Sequence, residues 1–426
     1  MKIDIKKVFL VFLPFTQALT LNIFFPLKIS EIALVILIFF YINKKTISKD
    51  SIWFINNNLI IILLGILVTL SFFVNIPWNY PYLPKVIPFR INRVGDSFIR
   101  LCYFYLCIAA YFFSFRLFTN DIKILEKWIL GAMVAAIYGW YLFISSGLNL
   151  PYLKLPGMGE PQTLSGFIRC STFKEGNYYG LFLLLSASVS FYLKKIKQGW
   201  FLLLSVIVSM STISVISVFI FVFYYYRKRI LKLNVMLKLV PIFIIVVLIF
   251  IQTDFYQRFV YKKLFEPTKT LTQNNFSKVD RVITGKVAFY SGIDNPFFGV
   301  GPANYGLHYD YYNKYKKIVV NRSEYFDRFA QRKNERAIPN NVYLEVLSEY
   351  GVFALLLFML FLFLILTKAY YLKEDAIVGG MFSIIISFNA FPSFIMLFIW
   401  VFLAIPFAIH RNKLNLEKTV ETNYDN

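Results

Sequence analysis

Long apolar stretches alternate with short polar or basic ones along most of this chain. An apolar stretch of about 20 residues can cross a membrane as one helix. Spans of this kind, some of them shorter, are predicted at about residues 8–27, 30–42, 56–75, 98–117, 126–147, from 177 onward, 239–251, 342–366, 376–390 and 393–409. The pattern predicts an all-α polytopic membrane protein.

The apolar stretch 200–226 allows two interpretations. As one long helix, it would place the basic run 227–232 on the opposite side of the membrane from the basic run 194–197. Two shorter helices that turn near Met210–Ser214 would bring both runs to one side. Because basic loops are retained in the cytoplasm, we favour two helices. Serine and threonine side chains at the turn supply local hydrogen-bond partners.

This interpretation gives about twelve spans with both ends of the chain in the cytoplasm. Residues 1–251 then form the N-terminal spans with short outer loops. Residues 252–341 form a large, partly helical outer segment, which is periplasmic or extracellular. Residues 342–426 form the C-terminal spans and a cytoplasmic tail.

The proline-rich loop 77–96 departs from this pattern, because it carries Lys85, Arg90 and Arg93 on the predicted outer side. Basic residues are usually avoided there. The loop could bind an anionic ligand, or it could be a single exception to a statistical rule.

Composition agrees with a membrane protein. The 426 residues are 58% hydrophobic and only 16% charged, with a mean hydropathy of +0.60, which is too apolar for a soluble core. The formal net charge of +22 falls largely in short loops between apolar stretches and gives no argument for nucleic-acid binding.

The cysteines and the N-terminus add little to the prediction of protein class. Cys102, Cys107 and Cys170 have no CxxC spacing, so neither a disulfide framework nor a zinc site is indicated. The first apolar run has spanning length and no convincing small-residue cleavage site, so we expect no cleavable signal peptide.

Three segments carry a resemblance to a known family. DNPFFGVGPANY (294–305) resembles the "dNPlfGvGpgnf" signature of the O-antigen ligase and polymerase family. IPNNVYLEVLSEYG (338–351) resembles its "HNxyLexlxExG" helix start, and RCSTFKEGNYYG (169–180) resembles its "R..GtF..pNyfG" segment. The chain departs from the family twice, with Asn340 in place of the histidine and Ser211-Thr212-Ile213 in place of an "SRg" pair. The resemblance covers roughly residues 165–355.

This resemblance implies a GT-C-like glycosyltransferase of the bacterial cytoplasmic membrane. Its donor would be an oligosaccharide linked to undecaprenyl diphosphate, used on the outer face without cofactor, metal or nucleotide sugar. The resemblance also implies that the protein contacts membrane lipid and that a flippase and a chain-length regulator are its partners. It implies no nucleic-acid partner.

Arginines are the candidates for the donor side. Cleavage of the sugar–diphosphate bond builds negative charge on phosphate oxygens, which fixed guanidinium groups offset. The resemblance implies that Arg281 contacts the lipid diphosphate, and Arg169 occupies another matching position. Arg90 or Arg93 is a third candidate. Each of these arginines could equally serve in a structural ion pair.

Gly299 and Gly301 lie in a turn that begins at Asn295-Pro296. A glycine-rich turn can present backbone N–H groups to a phosphate. The same glycines could instead form a rigid re-entry turn without a ligand, since glycine allows positive φ and close backbone approach.

The acceptor side needs a group that receives the proton of the attacking hydroxyl. Asn340 cannot take a proton, and could orient a hydroxyl or cap the helix. Asn341, Glu345 and Glu349 recur every four residues and share one helix face. Glu345 is the preferred carboxylate, and an ionisable residue near a membrane span is a functional candidate.

Three further titratable residues outside these motif roles are Asp294, His308 and His410. Asp294 is the second candidate carboxylate after Glu345. His308 lies in the outer segment without a family match, and His410 lies at the cytoplasmic end of the last span.

Aromatic and basic residues alternate from Tyr309 to Arg336. They could stack on sugar rings and hold acidic glycans, or form an amphipathic helix on anionic lipid. Together these features predict that the protein is a polysaccharide polymerase. The nearest alternative is a ligase that transfers the glycan to lipid A core or protein, and a flippase or transporter is a rival from another class.

Overall fold

A computed structural model describes residues 4–22, 26–42, 49–76, 92–232, 276–314 and 337–424, with scattered positions between 234 and 261. In the first half the helices are α1 (Ile5–Val11), α2 (Ile29–Ile42), α3 (Lys49–Asn56), α4 (Leu59–Asn75), α5 (Arg93–Asn120), α6 (Leu125–Gly147), α7 (Gly176–Tyr192), α8 (Ile196–Ser205) and α9 (Thr212–Ile230). In the second half they are α10 (Phe276–Asp294), α11 (Tyr305–Lys314), α12 (Val342–Tyr350), α13 (Val352–Tyr371), α14 (Asp375–Ser387), α15 (Leu397–Leu403) and α16 (Ile405–Tyr424).

Two short antiparallel hairpins accompany these helices in the described part of the chain. One pairs β1 (Thr20–Asn22) with β2 (Pro26–Lys28), and the other pairs β3 (Thr163–Leu164) with β4 (Phe167–Ile168). The architecture is otherwise helical, as the apolar pattern predicts.

Within the described residues, four helical stretches are long and apolar enough to cross a membrane. They are Arg93–Asn120, Ile122–Gly147, Val352–Tyr371 and Leu397–Glu417. Helices α3 and α4, bent by 64° at their junction, could form a fifth span. The described part of the chain therefore does not confirm the predicted count of twelve, and the predicted span 239–251 lies largely outside it.

The first predicted span, residues 8–27, is wrong. Helix α1 ends at Val11, and the chain then turns into the hairpin of β1 and β2. Backbone N–H groups of Thr16 and Gln17 donate to the carbonyl of Thr172, 3.2 and 2.9 Å away. Pro14, which has no N–H to continue a helix, accepts from the Thr172 hydroxyl. Tertiary hydrogen bonds thus override an apolar pattern that would suit a helix.

The stretch 200–226 consists of two elements, as predicted. Helix α8 continues into a 3₁₀ turn over Val206–Ser209, and the chain reverses at Met210, whose φ is 45°. Ser211 then caps α9 by accepting from Ser214 N. The rings of Trp200 and Tyr226 stack with centroids 6.1 Å apart, so the far ends of α8 and α9 lie together. Both basic runs are consequently at one end of the bundle.

We expect both of these runs to face the cytoplasm, because positively charged loops are retained there. Single cysteines or reporter fusions at 194–197 and at 227–232 should report the same, inner location, and fusions within 260–335 should report the outside. An outer location for Arg227 would contradict this topology.

Helix α7 lies at the centre of the bundle. Every residue from Gly176 to Phe191 is buried, and α6, α8, α9 and α14 pack around the helix. Trp128 of α6 stacks on Phe182 with centroids 5.9 Å apart and donates its indole N–H to Ser186. This packing fixes the position of the N-terminus of α7.

The predicted span 342–366 is interrupted at Gly351, where α12 ends and α13 begins. Gly351 has a φ of 88°, and a Cβ there would lie 2.5 Å from the carbonyl oxygen of Pro296. Val352 N donates to that same oxygen at 2.7 Å. The turn that begins at Asn295-Pro296 therefore packs directly against the break between the two helices.

The described part of segment 252–341 has a small core of its own. Val279, Ile283 and Val287 of α10 pack against Tyr305 and Tyr309 of α11. Helix α10 also runs along α12, which ties this segment to the bundle. Most of the aromatic and basic segment from Tyr309 to Arg336 lies outside the described residues.

Candidate active site

The N-termini of α7 and α12 meet at one end of the bundle, which we call the site end. Asn177 Nδ2 approaches the carbonyl oxygen of Ala390 at 3.4 Å, and Asn341 Nδ2 approaches that of Asn389 at the same distance. The turn at residues 388–390 thus joins the two helix starts. At the other end, Arg411 of α16 pairs with Asp50 of α3.

Arg169 follows β4 in the loop that leads into α7. Its Nε donates to Gln162 Oε1 at 2.9 Å, and its Nη1 donates to the carbonyl oxygen of Met210 at 3.3 Å. Gln162 Oε1 also accepts from Gly176 N, the first residue of α7. Arg169 is therefore held between the loop, the start of α7 and the reversal at Met210.

Arg281 lies on α10 and is close enough to Arg169 for the two charges to interact. Burial lowers the pKa of Arg169, Glu175 opposes this shift, and Arg281 adds to it. Burial also lowers the pKa of Arg281, against the opposing effect of Glu175 and Asp280. Both arginines remain charged at neutral pH. The Arg281 guanidinium makes no hydrogen bond or ion pair with any described residue, so it is available to an anion.

Asn340 lies beside this arginine pair and does not cap α12. Its Nδ2 donates to Asp280 Oδ2 at 3.0 Å, and its φ is 52°. The N-cap of α12 is Asn341, whose side chain accepts from Leu344 N at 3.1 Å. Thr284 of α10 donates to the carbonyl oxygen of Pro339, which further ties the start of α12 to α10.

Glu345 is buried and forms an ion pair with Arg100 of α5. Arg100 Nη2 also donates to Ser393 Oγ at 2.9 Å. Burial raises the pKa of Glu345, Arg100 opposes this shift, and the buried Glu349 adds to it. Two carboxylates around one guanidinium favour the retention of one proton between them.

Arg100 was missed by sequence reasoning. The available signal was a cation near the start of the apolar stretch 98–117, because charged residues within a membrane span are costly and usually functional. Its partner could not be identified from the sequence, since Arg100 and Glu345 are 245 residues apart.

Tyr178, in the first turn of α7, links the two groups of charged residues. Its side chain is buried within electrostatic range of Glu175, Glu345 and Arg100, and its ring packs on Phe391 with centroids 5.1 Å apart. Glu175 acts both on Tyr178 and on Arg169 and Arg281, so Tyr178 shares one charged neighbour with the arginines and two with the carboxylate cluster.

The turn that carries Gly299 and Gly301 is engaged within the protein. Gly299 N donates to the carbonyl oxygen of Asn295, and Gly301 N donates to that of Glu349, each at 3.0 Å. The Ser71 hydroxyl of α4 donates to the carbonyl oxygens of Phe298 and Glu349. Because both glycine N–H groups already have acceptors, we leave these glycines out of the site.

Other predicted residues lie apart from the arginine pair. Asp294 follows Arg281 on the same helix by thirteen residues, or about 20 Å at 1.5 Å per residue, and lies beside Tyr312. Arg93 donates to the carbonyl oxygens of Asn75 and Ile76 at the end of α4. Arg90 lies outside the described residues.

The two histidines offer no base at this site. Burial lowers the pKa of His308 to about 4, an effect to which Arg93 contributes, so the imidazole is neutral at physiological pH. His410 lies on α16 beside Trp53, towards the end opposite the site. No three His, Cys, Asp or Glu side chains of the described residues are grouped so that they could hold a metal ion.

The bundle and its polar end define a class of protein: a multi-helix integral membrane protein with a charged site at one end of its helices. Residues 198–359 match the family model described as O-antigen ligase. The matched stretch includes the motifs at 294–305 and 338–351 and supports membership of the O-antigen ligase and polymerase family there, whereas the segment 169–180 precedes it. The apolar helices and the family together indicate an inner-membrane protein that acts on lipid-linked oligosaccharides.

The matched region includes Arg281, Asn340 and Glu345, whereas Arg100 and Arg169 precede it. No curated protein matches the chain. The family suggests ligase-type or polymerase-type activity and does not distinguish the two.

Proposed function

We propose that the protein is a glycan polymerase of the O-antigen or capsule type. It transfers a growing glycan from undecaprenyl diphosphate to the non-reducing end of a lipid-linked repeat unit. The observation that carries this proposal is the pairing of Arg169 and Arg281, two family-matching arginines from distant parts of the chain, at one end of the bundle.

On the donor side, the bond between the anomeric carbon and the diphosphate oxygen breaks, and the diphosphate leaves with the electron pair. Negative charge then grows on its oxygens. Guanidinium groups offset this charge without losing a proton. Arg169 is fixed by Gln162 and Met210, whereas the Arg281 guanidinium makes no hydrogen bond or ion pair with the described residues.

On the acceptor side, a sugar hydroxyl attacks the anomeric carbon and gives up its proton. Glu345 is the candidate base, since burial raises the pKa of this carboxylate towards the range useful at neutral pH. The proton moves to Glu345, the new glycosidic bond forms, and undecaprenyl diphosphate is released. Charges and atoms balance without a further reactant.

Asn340 favours a polymerase over a ligase. A ligase that uses the family histidine as its base would lack that base here, and Asn340 is instead bonded to Asp280. A flippase or transporter would be expected to place its polar residues near the bilayer midplane, whereas here they cluster where α7 and α12 begin.

The basic residues support a prediction for the side of the membrane on which the site lies. Lys195, Arg227 and Arg411 lie at the end of the bundle opposite the site and form ion pairs there. The positive-inside rule places that end in the cytoplasm. The site end would then face the periplasm or the cell exterior.

A strain that lacks this protein tests the proposal through its glycans. We expect it to attach single repeat units to the final acceptor and to make no long chains, because only polymerisation is lost. Complementation with the natural chain, which has asparagine at position 340, should restore long chains without Asn340→His. Long polymer on the lipid carrier, with nothing on the final acceptor, would identify a ligase instead.

A further inference from the structure

The guanidinium group of Arg100 has an unusual hydrogen-bond pattern. In a typical arginine–carboxylate pair, two parallel N–H groups meet the two carboxylate oxygens. Here a single nitrogen, Nη2, donates both to Glu345 and to Ser393. Nε is buried without a hydrogen-bond partner, and so is the hydroxyl of Tyr350 beside the guanidinium. Donors therefore remain unused on a side chain that is 25% exposed.

Two acceptors beside Arg100 are also unused. Oε2 of Glu345 and Oε2 of Glu349 are each buried and have no hydrogen-bond partner among the described residues. Buried polar atoms in proteins are nearly always hydrogen-bonded. A group of unsatisfied donors and acceptors around one point therefore indicates a ligand that can both donate and accept.

The charge of this group selects the kind of ligand. One guanidinium faces two carboxylates, so the group is neutral or negative and does not favour a phosphate. A sugar hydroxyl both donates and accepts hydrogen bonds. Hydroxyl groups of a sugar can therefore bind Arg100 donors and carboxylate acceptors together.

We propose that Arg100, Glu345 and Glu349 form the subsite that binds sugar hydroxyl groups of the acceptor repeat unit. The inference rests on the proposed polymerase function and extends it, because Arg100 has no counterpart in the family motifs. Tyr178 lies within electrostatic range of Arg100 and Glu345 of this subsite and of Glu175, which also acts on Arg169 and Arg281.

Competition by a free oligosaccharide tests the subsite. The full-length protein would be reconstituted in lipid nanodiscs and supplied with lipid-linked repeat unit extracted from the deletion strain. Oligosaccharide released from that lipid by mild acid would be added as a soluble competitor. The measured quantity is the oligosaccharide concentration that halves chain growth.

Arg100→Lys is the main variant, because lysine retains the charge and can still pair with Glu345. It cannot present several nitrogens in a planar fork. We expect the half-inhibiting concentration to rise about 10-fold or more, as expected for loss of a hydrogen bond from a charged donor. Glu349→Gln removes a carboxylate acceptor of the subsite and leaves both Arg100 and the proposed base Glu345 in place. Competition by the oligosaccharide should also be weaker in this variant.

Arg227→Met is the matched control. Arg227 also joins two helices through Nη2, at 2.8 Å from Asp375 Oδ1, but at the opposite end of the bundle. Its half-inhibiting concentration should equal that of the natural protein. Arg169→Ala should slow chain growth without weakening competition, since Arg169 acts on the donor.

The outcomes separate the two proposals. Chain growth by the natural protein, with unchanged competition in Arg100→Lys and in Glu349→Gln, would overturn the subsite and indicate a structural ion pair or a pair bridged by water. Absence of any chain growth by the natural protein would overturn the polymerase function. Weaker competition in Arg100→Lys and in Glu349→Gln but not in Arg227→Met would support the subsite.

Discussion

Replacement of Arg281 with alanine should lower glycan transfer about 100-fold or more, the loss typical when a preorganised charge that stabilises a transition state is removed. The Arg281 guanidinium makes no hydrogen bond or ion pair with the described residues that alanine would break, so we expect the variant to remain folded. Arg169→Ala should have a similar effect on turnover. Chain growth from lipid-linked repeat units, normalised to the amount of protein in the membrane, measures both.

Lysine at either position should restore only part of the activity, because its ammonium group lacks the two-pronged geometry that matches a phosphate. Lys286→Ala is the control, since Lys286 is an exposed cation on the same helix as Arg281. Near-normal transfer by both alanine variants, at normal protein levels, would remove the arginine pair from the site.

Gly299→Ala should destabilise the protein by about 3 kcal/mol or more and lower its amount in the membrane. The φ of Gly299 is 61°, which costs an L-residue about 1–2 kcal/mol. A Cβ would also lie 2.3 Å from the backbone carbon of Glu349, and the overlap adds a comparable cost. Size-exclusion chromatography after heating of the detergent-solubilised protein measures the loss of folded material.

Two other glycines separate these causes. Gly166 has a φ of 86° with open space around it, so Gly166→Ala should show the backbone cost alone, about 1–2 kcal/mol. Gly159 has neither positive φ nor a neighbour within 4 Å, so Gly159→Ala should be close to neutral. Equal stability of all three variants would refute the close packing of the turn against α12.

Local patterns predicted the helices well where no contact with a distant segment interrupts the backbone hydrogen bonds of the helix. The reversal at Met210 followed from the distribution of basic residues, and the structure shows it. The prediction of a span at 8–27 was wrong because backbone N–H groups in this stretch donate hydrogen bonds to Thr172, far along the chain. The break at Gly351 was missed because the glycine that the motif contains accommodates the carbonyl of Pro296, a contact that periodicity does not reveal.

The site was only partly predictable for the same reason. Arg169, Arg281 and Glu345 were selected from motifs, and the structure brings the elements that carry them to one end of the bundle. Arg100 and Glu175 were not selected, because their importance depends on neighbours far away in sequence. Gly299 and Gly301 were selected for a role in binding, but their N–H groups are used inside the fold.

The burial of α7 has a consequence for how the protein responds to bilayer thickness. Its 17 residues span about 25 Å, less than the roughly 30 Å of a typical hydrocarbon layer. A helix in contact with lipid would adjust to this hydrophobic mismatch by tilting or by distorting the bilayer. Helix α7 is enclosed by protein, so thickness changes act first on its neighbours. The residues at its N-terminus can therefore keep their geometry in membranes of different acyl-chain length.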